Sequence, residues 1–332
     1  MASRLPKAPS KHEVKKLEQK VETLESTLKG VTRNETGVGG KPTIKFSGVN
    51  VQVVNGAGST KTANGAGSLV VDYDETNVEE PTAYCSLLGN QHPQTGSHNL
   101  ILGYNQSFTS FGAIEAGGCN NISGEFASVT GGFHNNASGA YSSVNGGSSN
   151  AASGQYANIS AGYENKAPGK WSWVGSGLNN KATAEQSAIS GGWYNTTTSP
   201  EHSGSDPSIS GGFENIADGP VAWVGGGSYN HAQGQYATVD GGMHNTVTYG
   251  NNGWIGGGRD NLAIEGEAAS VSGGKENKAS GPYSSILGGE GNTGSGEGSS
   301  VSGGEDNTAL PNYSSILGGK GITCGTEFCH SP

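Results

Sequence analysis

The stretch SSVNGGSSNAASGQYANISAGYENKAPG, residues 142–169, decides how this chain is read. It states nearly one phrase twice. Val144 and Ile159 mark one place in the phrase, and Asn150 and Asn165 another. Followed outward, the aliphatic anchor falls at Ile114, Val129, Val144, Ile159, Val174 and Ile189, in steps of 15 residues. It resumes at Ile209, Val224, Val239, Ile255, Val271, Ile286, Val301 and Ile316. Two steps in this second run are 16 residues, and the step from Ile189 to Ile209 is 20. Looser copies at Leu87 and Ile101 bring the expected total to 16.

Six residues after each anchor from Ile114 to Val301 stands an asparagine: Asn120, Asn135, Asn150, Asn165, Asn180, Asn195, Asn215, Asn230, Asn245, Asn261, Asn277, Asn292 and Asn307. The consensus is S-S-V-x-G-G-x-x-N-x-A-x-G-x-Y. A β-branched anchor suits a short strand around a narrow interior. Gly-Gly supplies a corner. Asparagine tolerates the left-handed conformation and bonds nearby backbone. Stacked in register, asparagine side chains bond the copies above and below. The spacing therefore predicts an all-β parallel β-roll, or β-solenoid, of 15-residue coils with a structural asparagine ladder. With strands about 4.8 Å apart, 16 coils span about 75 Å.

Composition agrees with such a thin body. Only 32% of the residues are hydrophobic and 59 of 332 are glycine, too little apolar matter for a broad globular core. Net charge is −10, and the densest basic sequence lies in the first 33 residues, which excludes a nucleic-acid-binding body. No apolar run approaches a membrane span. No signal-peptide h-region is visible, so the export route is not legible. The four cysteines are Cys85, Cys119, Cys324 and Cys329. Cys324 and Cys329 can close a terminal loop, or the thiols are free.

Residues 11–31 carry Val14, Leu17, Val21, Leu24, Leu28 and Val31, spaced 3, 4, 3, 4, 3, the a/d rhythm of a coiled coil. With Val14 at a, Lys20 at g and Glu25 at the next e can pair between parallel chains. Thin coils and an amphipathic helix both point to a parallel homo-oligomer. The expected organisation is a flexible terminus (1–10), a coiled coil (11–31), a β neck (32–83), the β-roll (84–318) and a C-terminal cap (319–332).

At the repeat consensus the sequence resembles the head domains of trimeric autotransporter adhesins, built from repeats of the kind S-V-A-I-G-x-x-A-x-A-x-G. SVSGGKENKASGPYSSILGG, residues 270–289, places Val, Gly, Ala and Gly in the same order. The resemblance covers residues 87–318 and implies a trimeric, left-handed parallel β-roll. Similar rolls suit virus tail fibres and appendages. The chain departs from the family in its 15-residue period, its added Gly-Gly and Asn, and its lack of a C-terminal membrane β-barrel. Attachment of a homotrimer to an anchoring partner through the N-terminus is therefore expected, on a virion or as an extracellular appendage.

No catalytic constellation emerges. Glu125, Glu164, Glu185, Asp240 and Asp260 read as scattered over differing repeat positions, so neither catalytic carboxylates nor a metal or other cofactor is expected. His134 and His244 share one position but stand many coils apart. Aromatic residues recur before the anchor (Tyr141, Tyr156, Trp171, Tyr236, Tyr283, Tyr313) and beside it (Trp173, Trp223, Trp254). Such ladders serve stacking, chain interfaces or sugar rings. The 20-residue step is read as an outward loop, with Trp193, Tyr194, Glu201, His202 and Asp206 as its candidate ligand contacts. The expected function is a non-enzymatic trimeric structural or adhesive fibre. The alternative is a tip that binds a cell-surface receptor or a carbohydrate. An ice-binding solenoid and a polysaccharide-degrading solenoid enzyme rank below both.

Overall fold

The computed structural model describes residues 9–71, 94–198, 206–249, 251–264, 267–326 and 330–331. Two compact units divide at Val53 and Val54.

The first unit holds helix α1 (Lys11–Thr27) and an antiparallel pair, β1 (Val31–Asn34) with β2 (Thr43–Phe46). Ser10 caps α1: its hydroxyl accepts the Glu13 amide, and the Glu13 carboxylate accepts the Ser10 amide at 2.7 Å. The Ser10 amide, and the Ser10 hydroxyl donating to the same carboxylate at 2.8 Å, hold the Glu13 carboxyl below its ordinary value. Gly30, at φ +91°, ends the helical run, so Val31 begins β1 instead of completing the heptads. No residue of α1 is buried, and Val14, Leu17, Val21 and Leu24 all lie exposed.

The second unit is a parallel β-solenoid of about 14 coils, each about 15 residues long. Each coil contributes a two-residue strand ending in the anchor, such as Ser143–Val144, and a second such as Ala151–Ala152. Every strand pairs in parallel with its counterparts one coil before and one coil after. A third ladder of single bridges joins Phe133, Ser148, Tyr163, Leu178 and Trp193. The anchor ladder runs open from β3 (Leu69–Val71), within the stretch read as neck, to His330–Ser331, within the stretch read as cap. Leu87, one of the sixteen copies expected, lies outside the described residues.

The interior is one residue deep from either side. Val144, Ile159 and Val174 face Ala152, Ala167 and Ala182 in a single continuous core, all fully buried. The large anchor and small alanine fill a cross-section that two large residues would overfill. Each buried Val or Ile contributes about 1.5–3 kcal/mol.

The first coils depart from the repeat. Val129 pairs with Glu115 and not with Ile114, and Glu115 pairs with Ile101, so these two steps are 14 residues. Ile114, expected as an anchor, is 47% exposed, while the Glu115 side chain occupies the interior. The alternation of a strand leaves no choice: once the register advances by 14, the odd neighbour turns inward.

The 20-residue step leaves the stack intact. Ala188 and Ile189 pair with Ser208 and Ile209, and Thr196 pairs with Ile216, while residues 199–205, where the outward loop is expected, lie outside the described residues. Cys119 and Cys324 are both disulfide-bonded, so the free-thiol alternative does not hold for them. Cys85 and Cys329 lie outside the described residues.

Candidate functional site

Three left-handed positions turn each coil, and they decide which side chains point out. The first is the second glycine of the pair. Gly147 has φ +83°, and a Cβ there would stand 2.1 Å from the Gly162 carbonyl oxygen of the next coil. Gly146, its neighbour, faces open space. Accordingly Ala161 and Ser176 replace the first glycine, whereas Gly162 and Gly177 keep the second. The other two left-handed positions carry ordinary residues. One is the residue before each ladder asparagine (Ser149, Glu164, Asn179), the other the residue three before the anchor (Tyr141, Tyr156, Trp171).

The asparagines themselves are therefore not the left-handed residues. Their backbone groups belong to the ladder, and their side chains turn inward. Asn150 Oδ1 accepts the Asn165 amide at 3.0 Å, and its Nδ2 donates to Gly146 O at 3.1 Å and Gly162 O at 2.9 Å. The same set recurs from Asn120 to Asn307 and crosses the 20-residue step, where the Asn215 amide donates to Asn195 Oδ1 at 3.0 Å. Asn135, Asn165, Asn180, Asn230, Asn245, Asn261, Asn277 and Asn292 occupy equivalent buried places. Below Asn120 the row continues in Gln106, whose Oε1 accepts the Asn120 amide at 3.1 Å. A longer amide in a 14-residue coil gave no periodic signal in the sequence.

The outward corners form rows. Three residues before the anchor, Phe126, Tyr141, Tyr156 and Trp171 stack in succession, with centroids 4.9–5.9 Å apart and planes within 16°. Lys170 Nζ covers the last ring at 3.8 Å. These rings stabilise one another along the chain.

The row before the asparagines is different in kind. Tyr194, Glu214, Tyr229, His244 and Asp260 succeed one another there. Asp260 thus shares a repeat position with Glu164 and Glu214, correcting its reading as differently placed. Phe213 meets Tyr194 and Tyr229 edge-on, and Tyr229 meets His244 at 4.8 Å. One residue beyond the asparagines, Thr196, Ile216, His231 and Thr246 form a parallel row. Between the two rows runs a shallow groove of about 520 Å³, with Tyr194, Glu214, Ile216, Tyr229, His231 and Thr246 on its walls. His231 Nε2 lies 3.0 Å from Asp218 Oδ1, and His244 Nδ1 lies 3.5 Å from Asp260 Oδ1. The two rows that carry these side chains are held by the parallel ladder, coil upon coil.

Of the candidate contacts, Tyr194 lines the groove, Trp193 stands exposed on the bridge ladder beside it, and Asp206 is exposed where the chain rejoins the stack. Glu201 and His202 lie outside the described residues. Glu214, Tyr229 and His231, not singled out as contacts in the sequence, come from successive coils and adjoin Tyr194 only through the ladder. Counting five and seven residues past successive anchors would have found them. Among the described residues no three His, Cys, Asp or Glu side chains gather to hold a metal ion, and no helix is long and apolar enough to cross a membrane. Compared with known proteins, the sequence matches no family model and no curated protein.

Proposed function

We propose that the protein is a non-enzymatic homotrimeric fibre, structural or adhesive, exposed on a cell or virion surface and anchored to a partner through its N-terminal part. The observation that carries the association is α1. Val14, Leu17, Val21 and Leu24 repeat at a/d spacing on a helix with no buried residue. A stripe of that kind gains about 25 cal/mol for each Å² withdrawn from water, and like helices in register withdraw it. The number three rests on the resemblance to trimeric adhesin heads. Val at a with Leu at d also suits a pair of helices. Light scattering of the full chain in native buffer is the test, with three times the 33.5-kDa chain mass expected. A monomer refutes the association. A dimer keeps the helix pairing and refutes the resemblance.

The adhesive reading, a receptor- or carbohydrate-binding surface, is favoured over a passive shaft by the groove at Tyr194, Tyr229 and His231. It is aromatic, held rigid by stacked coils, and stands at the coil that carries the long step.

A further inference from the structure

A second set of aromatics lies on another face. Trp173, Trp223 and Trp254 occupy the residue before the anchor, on the outer face of the anchor ladder. Two residues on, past the anchor, stand Gly175, Gly225 and Gly256. Coils without the tryptophan carry a side chain there, such as Asn145, Ser190 or Ser272. The pairing has a steric cause. A Cβ on Gly175, Gly225 or Gly256 would come within 3.0, 2.9 and 2.9 Å of the indole, so each ring lies across its glycine. The Nε1–H is held as well. It donates to Ser160 Oγ at 3.2 Å, Ser210 Oγ at 3.3 Å and Asp240 Oδ2 at 3.3 Å, each on the preceding coil. Each indole is thus pinned by one bond and one glycine, yet remains 38%, 37% and 36% exposed. Rings serving only the fold would be covered. These are laid down on the sheet and left open.

Their spacing is also set by the fold. Trp173 reaches Trp223 through Ala188 and Ser208, three ladder steps, and Trp223 reaches Trp254 through Thr238, two steps. At about 4.8 Å a step, the separations are about 14 Å and about 10 Å. The side chains between the rings are small, so nothing interrupts a straight track parallel to the solenoid axis. An extended β-1,4-linked glycan advances by nearly one coil rise per pyranose. A chain on this track brings its first, fourth and sixth sugars over the three indoles. Both faces of an all-equatorial pyranose carry axial C–H bonds, which suit the electron-rich face of an indole whichever side the chain presents. An α-1,4-linked chain coils away from such a line.

We propose that Trp173, Trp223 and Trp254 form a binding track for a linear, all-equatorial β-1,4-linked glycan running along the solenoid. The proposal rests on the adhesive reading and gives it a ligand class and a face separate from the groove. The test uses the full chain, titrated with cellohexaose, chitohexaose and maltohexaose by calorimetry and tryptophan fluorescence. Binding of at least one β-1,4 hexamer and not of maltohexaose is expected. Trp173→Ala, Trp223→Ala and Trp254→Ala should each weaken it about tenfold or more, with unchanged mass and melting. Equal binding of maltohexaose, binding insensitive to the three tryptophans, or no binding by a protein of the expected mass would overturn the track. That last result leaves the fibre and its groove standing. Loss of oligomeric mass in the tryptophan variants would assign the indoles to contacts between chains and overturn the track as well. A wild-type monomer, by contrast, refutes the fibre reading whatever the sugars do.

Discussion

Among the described residues Glu115 is the one carboxylate fully buried in the solenoid interior, and its replacement gives the sharpest test of how this core is held. Its side chain is fully buried in the anchor column between Ile101 and Val129, and neither carboxylate oxygen has a hydrogen-bond partner among the described residues. Burial raises its pKa from 4.5 to about 9. The folded protein therefore keeps the proton while the unfolded chain releases it above its ordinary value. Folding takes up a proton, so the contribution to stability is fully present at low pH. It is lost progressively as pH rises from the unfolded value through the folded one. At pH 7 the unfolded carboxyl is ionised by about 2.5 pKa units, which amounts to about 3 kcal/mol against the fold at 1.36 kcal/mol per unit. Glu115→Val continues the β-branched column and removes that term. The expected gain is about 3 kcal/mol at pH 7 and much less near pH 4, where only the unpaired neutral carboxyl is relieved. Because a stacked array opens locally, the measurement is hydrogen-exchange protection at Leu100–Tyr104 and Ser128–Val129, from about pH 5 to about pH 9. Protection in the natural protein should fall with pH, once corrected for intrinsic exchange. It should stay level in both Glu115→Val and Glu115→Gln. Parallel profiles for the natural protein and Glu115→Val would refute the reasoning, because the carboxyl would then be ionised in the fold.

Other outcomes follow from the same geometry. Asn150→Ala removes four hydrogen bonds and strands the Asn165 amide in the interior, so local stability of those coils should fall by about 3 kcal/mol in exchange or melting experiments. Gly147→Ala should destabilise by about 3 kcal/mol or more, since φ is +83° and its Cβ would strike Gly162, whereas Gly146→Ala should be close to neutral. Equal melting of the two glycine variants would mean that the coil relaxes around the methyl group. Removing residues 200–204 restores the 15-residue period, keeps buried Thr197 and should leave melting unchanged. A large loss would show that the loop takes part in the fold.

The period carried most of the fold into view because a solenoid repeats its constraints. A Val that must fill one coil must be Val or Ile in the next, and each coil repeats the buried asparagine because each presents the same backbone amide and carbonyls to satisfy. Legibility fails where a constraint is met by other means. Gln106 continues the asparagine row with a longer side chain. Glu115 takes an anchor place that polarity argues against, while Ile114 beside it satisfies the pattern and is exposed. Val31 keeps the heptad rhythm yet begins β1, because α1 has ended at Thr27 and Gly30, at φ +91°, turns the chain into the strand. In each case the residue type suited the period and the backbone geometry decided otherwise.

The candidate surfaces were harder to read for a different reason. Along one coil, Tyr194 has no partner close in sequence. Its neighbours in the groove are Glu214 and Tyr229, one and two coils away, brought to its side by the ladder. A solenoid thus converts a sequence interval into adjacency, and its surface chemistry is written in rows and not in segments. The two left-handed corners that accept ordinary residues make this possible. Each forces a side chain outward at a backbone cost of about 1–3 kcal/mol, which the ladder bonds and the buried asparagines offset. The fold is held by Val, Ala, Gly and Asn turned inward. The corner positions and the outer face of the anchor ladder are left free to vary, and they carry the acids, imidazoles and aromatic rings of the groove and of the tryptophan track.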